Sequence, residues 1–386
     1  MPKKMESRGI PLSVEKAVVV SSEMVTPYGL GTDTCWSNIL SGKTGISRVN
    51  RFSTKSYQSD YAATIEGLIY HQNNSLVMQM IQSLFDKASV SIPQDTRFFL
   101  ATTKGEIDLM EKSLLTGDGD VSACNFHYFL QKVCSYINIK DTGMIISAAC
   151  ASSTTAVARA AALIRGGNTD CVLVIACDSV TEFVFSGFSS LMALDKFAAR
   201  PFDKNRNGLS LGEAAAFVLI MSESRARREK REITGEIAGW GLSDDANHMT
   251  GPSRNSDGLI LSISKALKTA CISEKDICFI SAHGTGTLYN DAMEMKAFDS
   301  IFRERIPVYS IKGGTGHTMG ATGLIEIIIA LRSLREKTIP PTVNLQDADA
   351  DARGWVSPQH RTIESSKMAL ITNAGFGGIN AAVVVA

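Results

Sequence analysis

The chain has 386 residues, 44% of them hydrophobic and 20% charged, enough for one large α/β unit or for two or three ordinary domains. Lysine plus arginine and aspartate plus glutamate balance at 39 each, so no net field draws it to nucleic acid or an anionic membrane surface. A basic start at residues 1–6 has no signal-peptide stretch behind it, and apolar runs such as residues 171–177 are too short to span a bilayer.

In chain order, Val- and Ile-rich segments read as buried strands at residues 18–20, 98–100, 144–146, 172–175 and 215–220. They recur at 233–238, 277–280, 369–371 and 382–385. Near-continuous apolar strands, covered on both faces, indicate an α/β fold. Helical periodicity falls between them, at 75–87, 151–165, 259–269, 291–301 and 321–334. The charge run at 223–232 (ESRARREKRE) reads as a solvated helix between two halves, with a basic patch for a carrier protein as the alternative. Residue identity reveals no internal duplication, yet each half repeats a strand, a motif-bearing turn and a helix.

Four compact motifs carry chemistry. The strand at 144–147 runs into Ala148-Ala149-Cys150, and a helix of small residues follows, ending near Arg165-Gly166-Gly167. A thiol at a helix N-terminus is expected to gain thiolate character from the macrodipole and the unpaired N–H groups. The competing reading is a buried structural cysteine, the one taken for Cys35, Cys134, Cys171 and Cys177. Eight cysteines at irregular positions, with no C-x-x-C pair, outline neither a zinc site nor a disulfide framework, so a reduced cytoplasmic protein is expected.

His283 opens His-Gly-Thr-Gly-Thr directly after a strand. The bracketing glycines predict a tight turn with close backbone approach to a ligand, and the hydroxyls of Thr285 and Thr287 could bind an amide-rich arm. A histidine satisfied within the core is the alternative. Lys312-Gly-Gly-Thr-Gly-His317 leads into Gly320-Ala321-Thr322-Gly323 and a long apolar helix, where Glu326 could neutralise Lys312. These glycines fit neither the P-loop nor the dinucleotide spacing. Asn373-Ala-Gly-Phe-Gly-Gly-Ile-Asn380 joins two strands by a mobile turn able to swing the Phe376 ring and present N–H groups. Phe376 as a plain core residue is the alternative reading.

Together these motifs give the chain a resemblance to the elongating, Cys-His-His class of β-ketoacyl-acyl carrier protein synthases, from about residue 17 to the end. Further matches are Thr26-Pro-Tyr-Gly-Leu-Gly31, Gly42-Lys-Thr-Gly-Ile46, Arg200-Pro-Phe-Asp203, Gly212-Glu-Ala214, Asp245-Ala-Asn-His-Met-Thr250 and Asn290-Asp-Ala-Met-Glu294. The resemblance implies a thiolase fold, an α/β architecture of five layers, α-β-α-β-α, built from two pseudo-duplicated halves. Residues 14–231 would carry Cys150, and residues 232–386 the two histidines, Lys312 and the Phe376 glycine loop with Gly375 and Gly377.

It further implies that Cys150 is the acylated nucleophile and that His283 and His317 flank a decarboxylating malonyl group. Lys312 with Glu326 would organise that site. Phe376 would be a gate whose N–H joins that of Cys150 in an oxyanion hole, and Thr285 and Thr287 would hold a phosphopantetheine arm. Asp203, Arg206, Glu213 and His248 match positions expected to be structural. The activity implied is decarboxylative condensation of the Cys150-bound acyl group with malonyl-acyl carrier protein, lengthening the chain by two carbons in fatty acid or polyketide biosynthesis. No cofactor is expected on the chain itself, the substrates arriving on the carrier protein's phosphopantetheine. A homodimer or a heterodimer is expected, with the strand near Val172 pairing across the interface.

The chain departs from that pattern at Ser21-Ser-Glu-Met-Val25 and at Thr103-Lys-Gly-Glu106, where common fatty-acid enzymes place small or apolar residues around the acyl pocket. Lys104 is therefore expected to alter the far end of that pocket and favour an unusual acyl chain, a polyene or aryl-polyene being one candidate. Its alternatives are an acidic neighbour or solvent at a subunit interface. Three rivals stand beside this reading. A chain-length-factor partner would usually lack the nucleophile. A thiolase would carry a second cysteine near residues 375–380, where none exists. A nucleotide-binding oxidoreductase has no dinucleotide fingerprint behind it.

Overall fold

The computed structural model describes residues 15–88, 90–117, 125–363 and 368–386; the basic start and residue 14 lie outside them. Ten strands form the central sheet path: β1 (Ala17–Thr26), β2 (Arg97–Ala101), β3 (Met144–Ile146), β4 (Cys171–Asp178) and β5 (Ala214–Ser222), then β6 (Gly235–Asp244), β7 (Ile277–Ser281), β8 (Val308–Tyr309), β9 (Met368–Ala374) and β10 (Ile379–Val385). Their spatial order is β8-β7-β9-β10-β6-β1-β5-β4-β2-β3. The duplication that residue identity hides is plain in this order. Numbered within its own half, each set of five runs 3-2-4-5-1, parallel across the first three and antiparallel across the rest. Among the described residues the two sets are hydrogen-bonded to each other through β1 and β6, at Val18↔Glu236 and Val19↔Gly235.

Strand pleat explains the layers. Alternate residues of β4, such as Leu173 and Ile175, face an outer core with α2 (Leu76–Lys87) and α4 (Phe126–Ile137), while Val172 and Val174 face inward. The inner core holds α5 (Ser152–Arg165) and α11 (Thr322–Glu336), together with Ile371, Val383 and Val385 from the second half. Leu370, Val384 and Ile280 meet the remaining layer, α8 (Asp257–Ala270) and α9 (Leu288–Ile301). Helix, sheet, helix, sheet and helix therefore stack as five layers. Helix α11 is apolar almost all round because a sheet covers it on both sides, its residues 322–331 being buried without exception.

The run after residue 222 forms a short helix, Glu223–Arg228, but it is not solvated throughout. Arg225 is buried and forks onto Asp95 at 2.8 and 2.9 Å, with Glu229 at 2.7 Å. That bidentate geometry ties the helix to the loop before β2. The strand near Val172 is corrected as an interface element: β4 is hydrogen-bonded on one side to β2 and on the other to β5, which leaves no edge to share. The free edge of that half is β3, where Met144 is 43% exposed. No helix among the described residues is long and apolar enough to cross a membrane.

Candidate active site

Each half delivers its site residues from a strand end. After β3 the chain turns at Ala149, whose φ of 48° lies in the left-handed region that a Cβ disfavours. The Ser152 hydroxyl locks this elbow, accepting from the Ala148 N–H at 2.8 Å and donating to the Ala149 carbonyl at 2.6 Å. Cys150 is thereby held two residues ahead of α5, its thiol aimed at the second half.

His283 follows β7, and two buried carboxylates on α9 hold its turn. Glu294 accepts from the N–H groups of His283 (2.7 Å) and Gly284 (2.6 Å), and Asp291 from those of Thr285 and Gly286 (3.1 and 3.2 Å). The amides of residues 283–286 thus point at buried carboxylates, while Thr285 and Thr287, whose hydroxyls lie 2.9 Å apart, line the cavity. His317 is clamped through its backbone, donating to Ser210 at 2.7 Å and accepting from Gly212 at 2.9 Å. Gly212 has to be glycine here, since a Cβ would lie 2.1 Å from the Thr315 carbonyl oxygen.

These elements bring three groups together. The Cys150 Sγ lies 2.9 Å from His317 Nε2, and the ligand atoms of Cys150, His283 and His317 lie within 4.8 Å of one another. The two imidazoles meet edge to face with centroids 5.2 Å apart. Lys312 sits behind them, its ammonium donating to the His283 carbonyl and to Glu326, all three groups buried. A thiol and two imidazoles could also ligate a soft cation. The S···N contact, however, is of hydrogen-bond length, too short for an ion to sit between its partners, and the ammonium close by opposes another positive charge.

Electrostatics define the resting state. Burial drives both imidazoles well below their ordinary pKa, and Lys312 pushes each further down. Both are neutral. The thiol departs from expectation: burial raises it to about 11, against the opposing pull of Lys104, Lys312 and a hydrogen bond from the Phe376 N–H. Helix placement thus does not yield a resting thiolate. Alkylation of Cys150 by iodoacetamide should accelerate about tenfold per pH unit from pH 7 to 10, with no plateau in that range. A plateau below pH 8 in the labelling rate would show a thiolate already formed. Glu294, buried near Asp291, is raised to about 7.

The triangle forms the floor of a cavity of about 440 Å³, lined also by Phe188, Thr285, Thr287, Gly375 and Phe376. The Phe376 ring stacks on Phe188 at 5.7 Å, and Gly377 takes a φ of 91° beside it. Lys104 lies close to this centre, not at a far end: its ammonium contacts the Thr103 hydroxyl at 3.0 Å and Met319, two residues past His317, and stands 5.8 Å from the Phe188 centroid. It makes no ion pair among the described residues, although the Asp178 carboxylate accepts its backbone N–H at 3.3 Å.

Of the positions expected to be structural, Asp203 caps a loop through the N–H groups of Asn205, Gln346 and Asp347. Arg206 pairs with Asp349 and Asp291, and Glu213 takes Arg51 bidentately. His248 is exposed and lines the cavity, and its Nδ1 accepts from the N–H groups of Thr250 and Gly251. Sequence reading assigned no role to Asp291, Glu294, Phe188 or Asn373. The i, i+3 spacing of Asp291 and Glu294 on a helix just after the histidine turn was a usable signal.

Comparison with known proteins agrees with this geometry. The chain matches two family models, "Beta-ketoacyl synthase, N-terminal domain" over residues 15–104 and 132–226 and "Beta-ketoacyl synthase, C-terminal domain" over residues 234–346. It is 28% identical to a 3-oxoacyl-[acyl-carrier-protein] synthase 2 of Vibrio cholerae, covering 97% of this chain and 99% of that one. A protein of the same name from Staphylococcus aureus (strain COL) is 26% identical, with 96% and 98% covered. Among solved structures, the ishigamide ketosynthase/chain length factor superposes with a TM-score of 0.88 at 26% identity, covering 97% and 99% of the two chains. A type II PKS acyl-carrier protein in complex with its ketosynthase gives 0.86 at 25%, with the same coverage.

Proposed function

Because the chain belongs to the β-ketoacyl synthase family, we propose that its buried triangle performs acyl transfer followed by decarboxylative condensation with a malonyl thioester on an acyl carrier protein. One observation carries the reading: Cys150 Sγ at 2.9 Å from a neutral imidazole, with a second neutral imidazole beside both.

In the first half-reaction the Cys150 sulfur attacks the acyl thioester carbonyl. Its proton passes along the 2.9 Å contact to His317 Nε2 and on to the departing carrier sulfur as the old C–S bond breaks. The tetrahedral oxyanion is held by the N–H groups of Cys150 and Phe376, the latter already directed at the sulfur. In the second, the malonyl C–CO₂ bond breaks, carbon dioxide leaves, and the electron pair becomes an enolate whose oxygen takes hydrogen bonds from the imidazole Nε2–H groups. Neutral imidazoles donate without quenching the carbanion, which is what burial beside Lys312 secures. The carbanion then attacks the acyl-Cys150 carbonyl, the thiolate leaves, and one proton from water restores the thiol.

Further roles follow the same reading. Thr285 and Thr287 hold the phosphopantetheine arm, Phe376 and its glycines gate the acyl side, and no cofactor is bound by the chain itself. The division falls at residues 231 and 232, and the protein works in the cytoplasm. Carrier protein is one partner; a second ketosynthase-like subunit, identical or related, is the other, docking at the β3 edge beside Phe126 and Tyr128 of α4. The Lys104 ammonium beside the gate, which has no ion-pair partner among the described residues, disfavours a plain saturated chain, and polyene or other polyketide chains suit it better. Replacing Lys104 with alanine should therefore shift the product-length distribution; an unchanged distribution ends that part of the reading.

The test incubates the protein with malonyl-acyl carrier protein and a panel of acyl carrier proteins and reads products by mass spectrometry. A β-ketoacyl product two carbons longer is expected. Failure of a ketosynthase-directed thiol reagent to modify Cys150, with no product, would identify a chain-length-factor-like subunit instead.

A further inference from the structure

Asn373 on β9 is fully buried and touches the catalytic network at three points. Its Nδ2 donates to Glu326 at 2.7 Å and lies 3.4 Å from His283 Nδ1, and its Oδ1 accepts from the Thr154 hydroxyl. We propose that Asn373 is a positioning residue that fixes the tautomer of His283, so that Nε2 always carries the proton offered to the substrate oxygen, while His317 is left free to exchange its Nε2 proton with Cys150. This rests on the condensing reaction proposed above and assigns unequal duties to the two histidines.

The amide has only one orientation open to it. Glu326 accepts from Lys312, so the Asn373 atom facing it must be the one bearing hydrogens. The remaining N–H of that amide points toward His283. An amide nitrogen has no lone pair to offer, so His283 Nδ1 must be the acceptor. A neutral imidazole has a single N–H, which is then at Nε2, facing the cavity. Burial and the Lys312 ammonium keep the ring neutral. Packing supports the placement: a Cβ at Gly323 would lie 1.8 Å from the Thr154 hydroxyl oxygen and 2.6 Å from Asn373 Oδ1, so glycine on α11 makes room for this pair. The neighbouring Thr372, on the opposite face of β9, donates to Glu294, which holds the His283 backbone. Ring and backbone of His283 are thus fixed from consecutive residues of one strand.

His317 is different. Its Nδ1 has no hydrogen-bond partner among the described residues, so nothing imposes a tautomer. It can accept the thiol proton at Nε2 during acyl transfer. Once the sulfur is acylated, the Nε2–H tautomer is equally open to it, because no partner among the described residues holds a proton at Nδ1.

The test uses the full-length protein with ¹⁵N-labelled histidine, His283 being assigned by difference against His283→Gln. The wild-type spectrum should show His283 as the Nε2–H tautomer throughout pH 6–8. Asn373→Asp, which places an acceptor opposite Nδ1, should move it to Nδ1–H. It should also lower malonyl-carrier decarboxylation about 10²- to 10³-fold while Cys150 acylation stays within about threefold. Finding the Nδ1–H form in the wild type overturns the proposal, even should the variant fail to fold. So does an equal fall of both half-reactions, which a merely structural residue would give. Absence of decarboxylation by the wild-type protein would count against the condensing reaction itself, not against the tautomer assignment.

Discussion

Cys150→Ala should form no acyl adduct with acyl carrier protein by intact mass, and condensation should fall on the order of 10⁶-fold, the scale for deleting an enzyme nucleophile. The same variant should still decarboxylate malonyl-carrier protein, because the enolate's donors lie on the other half. His283 is held by Glu294 and Asn373, and His317 by Ser210 and Gly212, none of which touches the sulfur. With no acyl group to attack, the carbanion takes a proton from water, and acetyl-carrier protein accumulates. Mass spectrometry of the carrier reads both outcomes. Loss of decarboxylation along with condensation would mean that the sulfur helps assemble the donor pair, and the separation of roles would fail.

That separation was partly legible in the amino-acid sequence. Cys150 and His283 announce themselves because each sits where an apolar strand ends in small residues, and Lys312 and His317 because glycines bracket them ahead of a long apolar helix, patterns that survive without tertiary information. The strands at 172–175 and 215–220 were equally plain, being apolar on both faces. Helices α4, with its aromatic and β-branched residues, and Glu182–Ser190, rich in Phe, Val and Ser, carry weak intrinsic preference and are held by packing on the outer core and beside Phe376. Asn373 reads as one more polar residue in a strand, and only the approach of α11 and Thr154 gives it a role. The thiol's elevated pKa was hidden for a similar reason. A helix N-terminus is visible in sequence, but the burial that outweighs it arises only when the chain packs.

Lys312→Met should be the most damaging substitution for the fold as well as for the chemistry. Lys312 and Glu326 form a buried pair, and removing one partner from such a pair typically costs about 3–5 kcal/mol, because the other is left charged or must take up a proton in the interior. The His283 carbonyl loses a donor at the same time. The melting temperature should fall by many degrees, and Glu326→Gln on top of Lys312→Met should recover part of the loss, since it removes the stranded charge. The pH dependence should move in a stated direction. Lys312 is the largest contributor after burial to the depressed pKa of both histidines, so its removal lets them rise toward 6.5. A protonated imidazole quenches the carbanion, so the acid limb of decarboxylation should lie at higher pH in the double variant than in wild type. Stability has the opposite sign. Histidines held neutral stabilise fully above pH 6.5 and lose that contribution as pH falls below it, by up to about 1.4 kcal/mol per unit for each. With the depression relieved, that acid loss should be shallower. An unshifted acid limb in a folded double variant would show that burial alone keeps the imidazoles neutral, and that the lysine serves only to hold Glu326 and the His283 turn.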